Sequence, residues 1–259
     1  MRSDAPDLTG GTYARKQLFG GCALLSWSHR RRFEVAGALT APYRGRPLLD
    51  YGCGDGTFLA MVGREFPGSV GLEVDPELVR GCAERFGGPE GPRFLMADAA
   101  DSLPAASFGV VVCMEVLEHC PADAVEVVLG RIRRLVARDG RVIISVPVET
   151  GLPILVKQAA RAIAARRVSS DYRHREHYRP GELLRMLAAG DDVRVERPLY
   201  ETTFASGAPN RYHGHKGFNW RAMRRRAACS FRVVETRFSP VSWLGPQFAS
   251  QAWFVCEPL

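Results

Sequence analysis

The sequence predicts a doubly wound α/β fold on a mostly parallel sheet. Three observations predict it. The run Leu48-Leu49-Asp50-Tyr51-Gly52-Cys53-Gly54-Asp55-Gly56-Thr57-Phe58-Leu59 carries an apolar strand into an acid, places glycines at alternate positions, and then resumes a helix-like apolar pattern. Further short apolar runs follow, and each ends in a polar residue, at the edge where open α/β sheets bind ligands. The composition is that of a packed chain: 46% hydrophobic and 24% charged over 259 residues, enough for one domain with a sizeable core.

Residues 1–10 show no structural pattern, and residues 11–40 read as helical, stopping near Ala41-Pro42. The first strand then feeds the glycine loop. Glycine lacks a Cβ, so the backbone turns sharply there and a ligand approaches closely, next to a helix N-terminus. A dinucleotide site would favour G-x-G-x-x-G, but Thr57 stands where the third glycine would fall. Asp50 ahead of the loop would repel a pyrophosphate and suits a cationic ligand. The second strand is Ser69 to Val74, with Glu73 near its end, where an acid accepts both hydroxyls of a ribose. Asp75-Pro76 reads as N-cap and first residue of the next helix. The third strand, Pro92 to Ala97, ends in Asp98, whose carboxylate suits an adenine amino group. The fourth, Phe108 to Met114, is followed by Glu115-Val116-Leu117-Glu118-His119. Pro121 to Arg138 reads as a helix leaving through Asp139-Gly140, and Arg141 to Val146 as the fifth strand. Residues 151–178 form an insertion. Pro180 to Ala189 reads as a short helix, Asp192 to Glu201 as the sixth strand, 202–247 as a second insertion and Gln247 to Glu257 as the last strand.

The stretches LLDYGCGDGTFL, GLEVDPEL, MADAADSLP, SFGVVVCMEVLEH and LVARDGRVIISVP, in this order over about residues 46–147, resemble the class I S-adenosylmethionine-dependent methyltransferases. More narrowly, they resemble the small-molecule branch that includes quinone-biosynthesis enzymes. The resemblance implies a Rossmann-like, seven-stranded mixed sheet whose last strand is antiparallel. It also implies a helical cover over residues 1–40, a cofactor core over 41–150, and acceptor-side insertions with the remaining strands over 151–259, all in one domain. S-adenosyl-L-methionine is the implied cofactor. Asp50, Gly52, Cys53, Gly54 and Gly56 would shape its methionine pocket, Glu73 with Val74 would hold the ribose, Asp98 with Ala99 would flank the adenine, and backbone near Met114 would meet the ammonium. One departure is Gly109, where relatives carry Asp after the Phe.

Charge is unevenly divided. Residues 1–150 carry 17 basic and 19 acidic side chains, whereas residues 151–259 carry 18 and 9. A basic acceptor half suits an anionic acceptor, an anionic membrane surface or nucleic acid, or is simply solvated surface. Leu18 to Trp27, broken by Gly20-Gly21, is too short to span a bilayer, and no signal-peptide pattern is read. Seven cysteines without C-x-x-C spacing read as thiols, with Cys53, Cys82, Cys113 and Cys256 in core segments. A cytoplasmic protein is expected, and the less common reading of a basic amphipathic helix in it is peripheral contact at the inner membrane surface. In that helix, Leu152 to Arg167, Lys157 and Arg161 share one face and Leu155, Ala159 and Ile163 form an apolar stripe. A lid packed on the core is the other reading of the same pattern.

Methyl transfer is an in-line displacement that needs alignment and, for an oxygen acceptor, a general base. His119, just past the fourth strand, and His177, ahead of the Pro180 helix, are the catalytic candidates; His29, His213, His215 and Glu149 are secondary ones. His213 and His215 sit at i and i+2, but no third ligand lies nearby in sequence, so no metal is expected. The reading is a methyltransferase for a small-molecule, glycan or lipid-linked acceptor, methylated at oxygen. A nucleic-acid methyltransferase is the alternative, favoured by Arg221 to Arg226. Met114-Glu115-Val116-Leu117 stands where an N-P-P-[YF] motif would clamp a base, which argues against it. A non-catalytic lipid- or partner-binding protein on the same fold is the third reading.

Overall fold

The computed structural model describes residues 23–167 and 178–259, with Leu8, Gly11 and Arg15 ahead of them. The described strands are β1 (Leu48–Tyr51), β2 (Val70–Glu73), β3 (Arg93–Met96), β4 (Phe108–Met114), β5 (Val136–Pro147), β6 (Leu199–Thr203), β7 (Pro209–His213), β8 (Phe231–Ser239) and β9 (Gln251–Pro258). The helices are α1 (Ala23–Thr40), α2 (Thr57–Val62), α3 (Pro76–Phe86), α4 (Ala122–Leu135), α5 (Leu152–Arg167), α6 (Pro180–Leu187) and α7 (Trp220–Ser230). Seven strands make one sheet in the order β3-β2-β1-β4-β5-β9-β8. The first five are parallel, and β9 runs antiparallel to both β5 and β8. The strand order reverses between β1 and β4, which leaves a crevice at their C-terminal ends.

Strand side chains alternate between faces, so adjacent residues of β1 enter different cores. Leu49 joins Val111, Ile144 and the buried face of α4 and α7, formed by Val125, Leu129, Ile132, Met223 and Ala227. Leu48 joins Val110, Val112, Ile143 and Trp253 on the other face, with Phe33 and Ala36 of α1 and Phe58 of α2. Both faces are covered, which is why β1 and β4 read as continuous apolar runs. The Asp75 side chain accepts from the Glu77 amide at 2.9 Å and caps α3, as Asp75-Pro76 predicts. Gly109 has a local cause: a Cβ there would lie 2.6 Å from Cβ of Arg46, whose guanidinium pairs with Asp139 at 2.8 Å. The thiols of Cys53, Cys82, Cys113 and Cys256 are buried and free. Among the described residues no helix is long and apolar enough to cross a membrane.

Three expectations are corrected. Residues 192–201 do not supply the sixth strand of the sheet. Only Leu199–Thr203 is extended, and it pairs with β7 in a separate two-stranded ribbon. The sheet is completed by β8, inside the presumed second insertion. β8 is an edge strand that buries Phe231 and Ser239 and exposes Arg232 and Glu235, so its polar half masks it, as edge strands commonly do. Helix α7 is masked similarly: it buries Trp220, Met223 and Ala227 at i, i+3 and i+7 behind an arginine run. Second, α4 ends at Leu135 and β5 begins at Val136, because Val136 already pairs with Phe108. Third, the α5 stripe faces outward. Leu155 and Ala159 are exposed while Ile154 is fully buried; Ile163 lies outside the described side chains. Lys157 turns inward to Glu149 at 2.9 Å and to the Ser250 carbonyl at 3.2 Å.

Candidate active site

A cavity of about 870 Å³ opens at the C-terminal ends of β1, β2 and β4. Its walls are Arg32 and Phe33 of α1, the loop from Gly52 to Asp55, Glu73 to Asp75, Met114 to Val116 and His119. The β6–β7 ribbon closes one side with Phe204 and residues 209–212. Neither the ribbon nor Arg32 stands out in the sequence, because the surrounding residues carry no periodic signal and the chain distances are long.

The glycine loop hangs from β2: the amides of Gly52 and Cys53 donate to the Leu72 carbonyl at 2.8 and 2.9 Å. Gly52 has φ 82°, and a Cβ there would lie 2.3 Å from Cγ2 of Val116. Gly54 has φ 55°, and a Cβ there would meet no atom within 4 Å, since that side lines the cavity. Gly56 does not line the cavity; it caps α2 and packs on Cys82, Phe86 and Phe94. Asp50 is buried in the cavity wall with Oδ1 lacking a hydrogen-bond partner among the described residues. Burial, with the Glu73 charge adding, lifts its carboxyl to about 8. The Glu73 carboxylate accepts from Gly54 N at 2.9 Å, Val74 N at 2.8 Å and Asp75 N at 3.2 Å. Cys53, Val74 and Met114 line the cavity. Asp98 and Ala99 do not; Ala97 lines it, and Asp98 next to it is exposed.

Just past β4, Glu115 adopts φ 56°, unusual for a non-glycine residue. Its carboxylate accepts from Arg32 at 3.3 Å and from Ser145 at 3.2 Å. His119 is held by β7: its carbonyl accepts from the His213 amide and its Nδ1 lies 2.8 Å from the His213 carbonyl. A carbonyl only accepts, so Nδ1 carries the hydrogen and Nε2 keeps its lone pair. Burial, followed by His215, holds the His119 imidazole below the usual histidine range. Glu118 is fully buried, and burial pushes its carboxyl well above the usual range. Four other candidates, His29, Glu149, His213 and His215, do not line the cavity. Glu149 is buried behind His215, 3.3 Å from its Nδ1, and His213 spends Nδ1 on the Pro198 carbonyl at 2.8 Å. His29 does not line the cavity, and burial lowers its imidazole to about 4. His177 lies outside the described residues.

A family model described as a methyltransferase domain matches residues 27–191, more than half of the chain. The chain belongs to this family. An uncharacterized methyltransferase of Mycobacterium tuberculosis is 29% identical over 115 residues, covering 44% of this chain and 57% of the relative. A ubiquinone biosynthesis O-methyltransferase of Psychrobacter arcticus is 29% identical over 108 residues, covering 40% of each. The chain thus spans about half the length of these curated relatives. Among solved structures, magnesium protoporphyrin IX methyltransferase from Synechocystis, with bound SAH, superposes with TM-score 0.54 at 14% identity, covering 92% of this chain and 88% of that one. The PH0226 protein from Pyrococcus horikoshii superposes with TM-score 0.55 at 17% identity, covering 89% and 91%. The fold of this chain is that of the class I S-adenosylmethionine-dependent methyltransferases.

The arginines of α7 each bond to a neighbouring segment. Arg221 donates to Thr150 and the Ala189 carbonyl, Arg224 to Thr236, Arg225 to Asp192, and Arg226 to Glu126 and the Ala122 carbonyl. These bonds pin α7 to its neighbours.

Proposed function

We propose that this methyltransferase moves the methyl group of S-adenosylmethionine to a hydroxyl oxygen of a small-molecule acceptor seated between His119 and the β6–β7 ribbon. The observation that carries the reading is His119 on the cavity wall with its Nδ1 engaged by the His213 carbonyl, which leaves Nε2 as an unprotonated ring nitrogen. The name of the Psychrobacter arcticus relative, an O-methyltransferase, supports oxygen as the acceptor atom.

The residues fit the cofactor. The open side of Gly54 leaves room for a ligand against the backbone, and the buried Asp50 carboxyl, whose Oδ1 has no hydrogen-bond partner among the described residues, suits an ammonium. When bound, S-adenosylmethionine supplies a methyl group on a sulfonium that leaves as a neutral thioether. Gly52, Cys53, Gly54 and the Met114 backbone shape the amino-acid end, with Gly56 setting the turn behind them. Glu73 and Val74 meet the ribose. A carboxylate has about four acceptor positions, and three amides already use Glu73, so binding both hydroxyls exchanges one of those amides. Ala97 and the adjacent Asp98 and Ala99 border the adenine. His119 takes the acceptor's hydroxyl proton, and Phe204 and Tyr212 exclude water from that end.

Asp50 makes donor binding pH-dependent. Its carboxyl is protonated below about 8, and a bound ammonium favours the ionised form, so binding expels a proton. Affinity for S-adenosylhomocysteine therefore rises from pH 6.5 to 8.5, by at most about tenfold per pH unit. The same raised value means the folded chain holds a proton the unfolded chain has lost, so this group lowers stability as pH rises from 3.8 towards 8. Titration calorimetry at several pH values checks the affinity; a flat profile in the wild type rejects the role of Asp50, and Asp50→Asn removes the slope. For the acceptor, S-adenosylmethionine carrying a labelled methyl, incubated with fractionated cell extract, labels a small-molecule product gaining one methyl mass. Label confined to the RNA pool refutes the reading.

A further inference from the structure

We propose that Glu118, His119 and His215 form a binding site for a divalent transition-metal ion at the acceptor end of the cavity. The ligand atoms of the three side chains lie within 4.8 Å of one another. Glu118 is fully buried, yet neither of its carboxyl oxygens meets a hydrogen-bond donor among the described residues. A polar group so placed is costly to bury, and a cation would satisfy it.

Both imidazoles are prepared in the way metal-binding histidines are. His119 donates its Nδ1–H to the His213 carbonyl at 2.8 Å, and His215 donates its Nδ1–H to the Glu149 carboxylate at 3.3 Å. Each ring is thereby oriented and keeps a lone pair on Nε2. Glu149 is itself anchored by Lys157 at 2.9 Å. Nε2 of His119 is 3.8 Å from Oε1 of Glu118, and the two rings stand 5.1 Å apart between centroids. With metal–ligand bonds of about 2.0–2.2 Å the three donors close up by roughly an ångström. Two nitrogens and one oxygen suit Zn²⁺, Mn²⁺ or Co²⁺ rather than Mg²⁺ or Ca²⁺, which take all-oxygen shells.

His119 puts the cluster on the cavity wall, with Glu118 and His215 behind it. The role of the ion rests on the oxygen-methylation reading. A remaining coordination position takes the acceptor hydroxyl and lowers its pKa, so its proton leaves to solvent. The oxygen lone pair then forms the O–CH₃ bond as the S–CH₃ bond breaks and its electron pair stays on sulfur. In that loaded form Nε2 of His119 holds the ion, and the ion replaces the imidazole as the means of activating the hydroxyl.

The test is titration of the full chain, stripped with chelator, with Co²⁺ alone, followed by calorimetry and visible d–d absorption. One ion per chain is expected. Glu118→Gln, which keeps the shape of the buried side chain, and His215→Ala each weaken it by roughly tenfold or more, and Mg²⁺ fails to compete. Neither residue lines the cavity, so S-adenosylhomocysteine binding persists in both variants and reports that they fold. Absence of stoichiometric Co²⁺ binding, or binding unchanged in a folded Glu118→Gln variant, overturns the site. Loss of S-adenosylhomocysteine binding in the wild type overturns the cofactor reading while leaving the metal result standing.

Discussion

Gly54→Arg eliminates measurable binding of S-adenosylmethionine and S-adenosylhomocysteine while the protein stays folded. The backbone at Gly54 sits at φ 55°, where a side chain costs about 1–2 kcal/mol. That is a fraction of the roughly 5–15 kcal/mol that holds a domain together. No atom lies within 4 Å of the Cβ position, so the new side chain enters the cavity without displacing the core. There it occupies the proposed amino-acid end and sets a guanidinium where a cationic ligand would lie. Titration calorimetry with S-adenosylhomocysteine, paired with a thermal melt, reads both halves of the result. Affinity within about threefold of wild type in a folded variant would show that the ligand lies elsewhere. Gly52→Ala is expected to behave differently: its Cβ would press on Val116 at 2.3 Å, so loop geometry and stability suffer together.

His119→Ala slows methyl transfer to the acceptor by about 10²–10⁴-fold, the range for loss of a positioned acid–base group. S-adenosylhomocysteine affinity stays near wild type, because the residues proposed to hold the donor are Asp50, Gly52 to Gly54 and Glu73, not His119. The split between turnover and donor binding distinguishes a role in activating the hydroxyl from a structural one. Either version of that role, proton acceptance by Nε2 or ligation of an ion that acidifies the hydroxyl, predicts the same loss. His213→Ala gives a milder loss, since the backbone carbonyl that fixes the His119 tautomer survives. A His119→Ala variant with full turnover would remove His119 from the chemistry.

Residues 46–147 announced the fold because their information is local. An apolar strand, a polar residue at its tip and a glycine turn are all encoded within a dozen positions, and the parallel strands buried on both faces read as unbroken apolar runs. Asp50, Gly52, Gly54 and Glu73, which line the cavity, could be picked out from the strand-end and glycine pattern, and Met114 from the family resemblance. The C-terminal half was harder. β8 has only one paired edge and one buried face, so charged residues occupy half of it, and α7 hides three buried residues among four arginines. Local pattern cannot separate such elements from solvated loops; only pairing with β9 and packing against α4 makes them regular.

The chain order alone identified a methyltransferase core, because glycine conformations and strand-end carboxylates depend on neighbours a few residues away. Folding in three dimensions decided everything at the acceptor end. It laid the β6–β7 ribbon over the cavity, assigned His213 to hold His119, and brought His215 to Glu118. Those groups lie almost a hundred positions apart along the backbone, and no periodicity links residues whose proximity comes from packing.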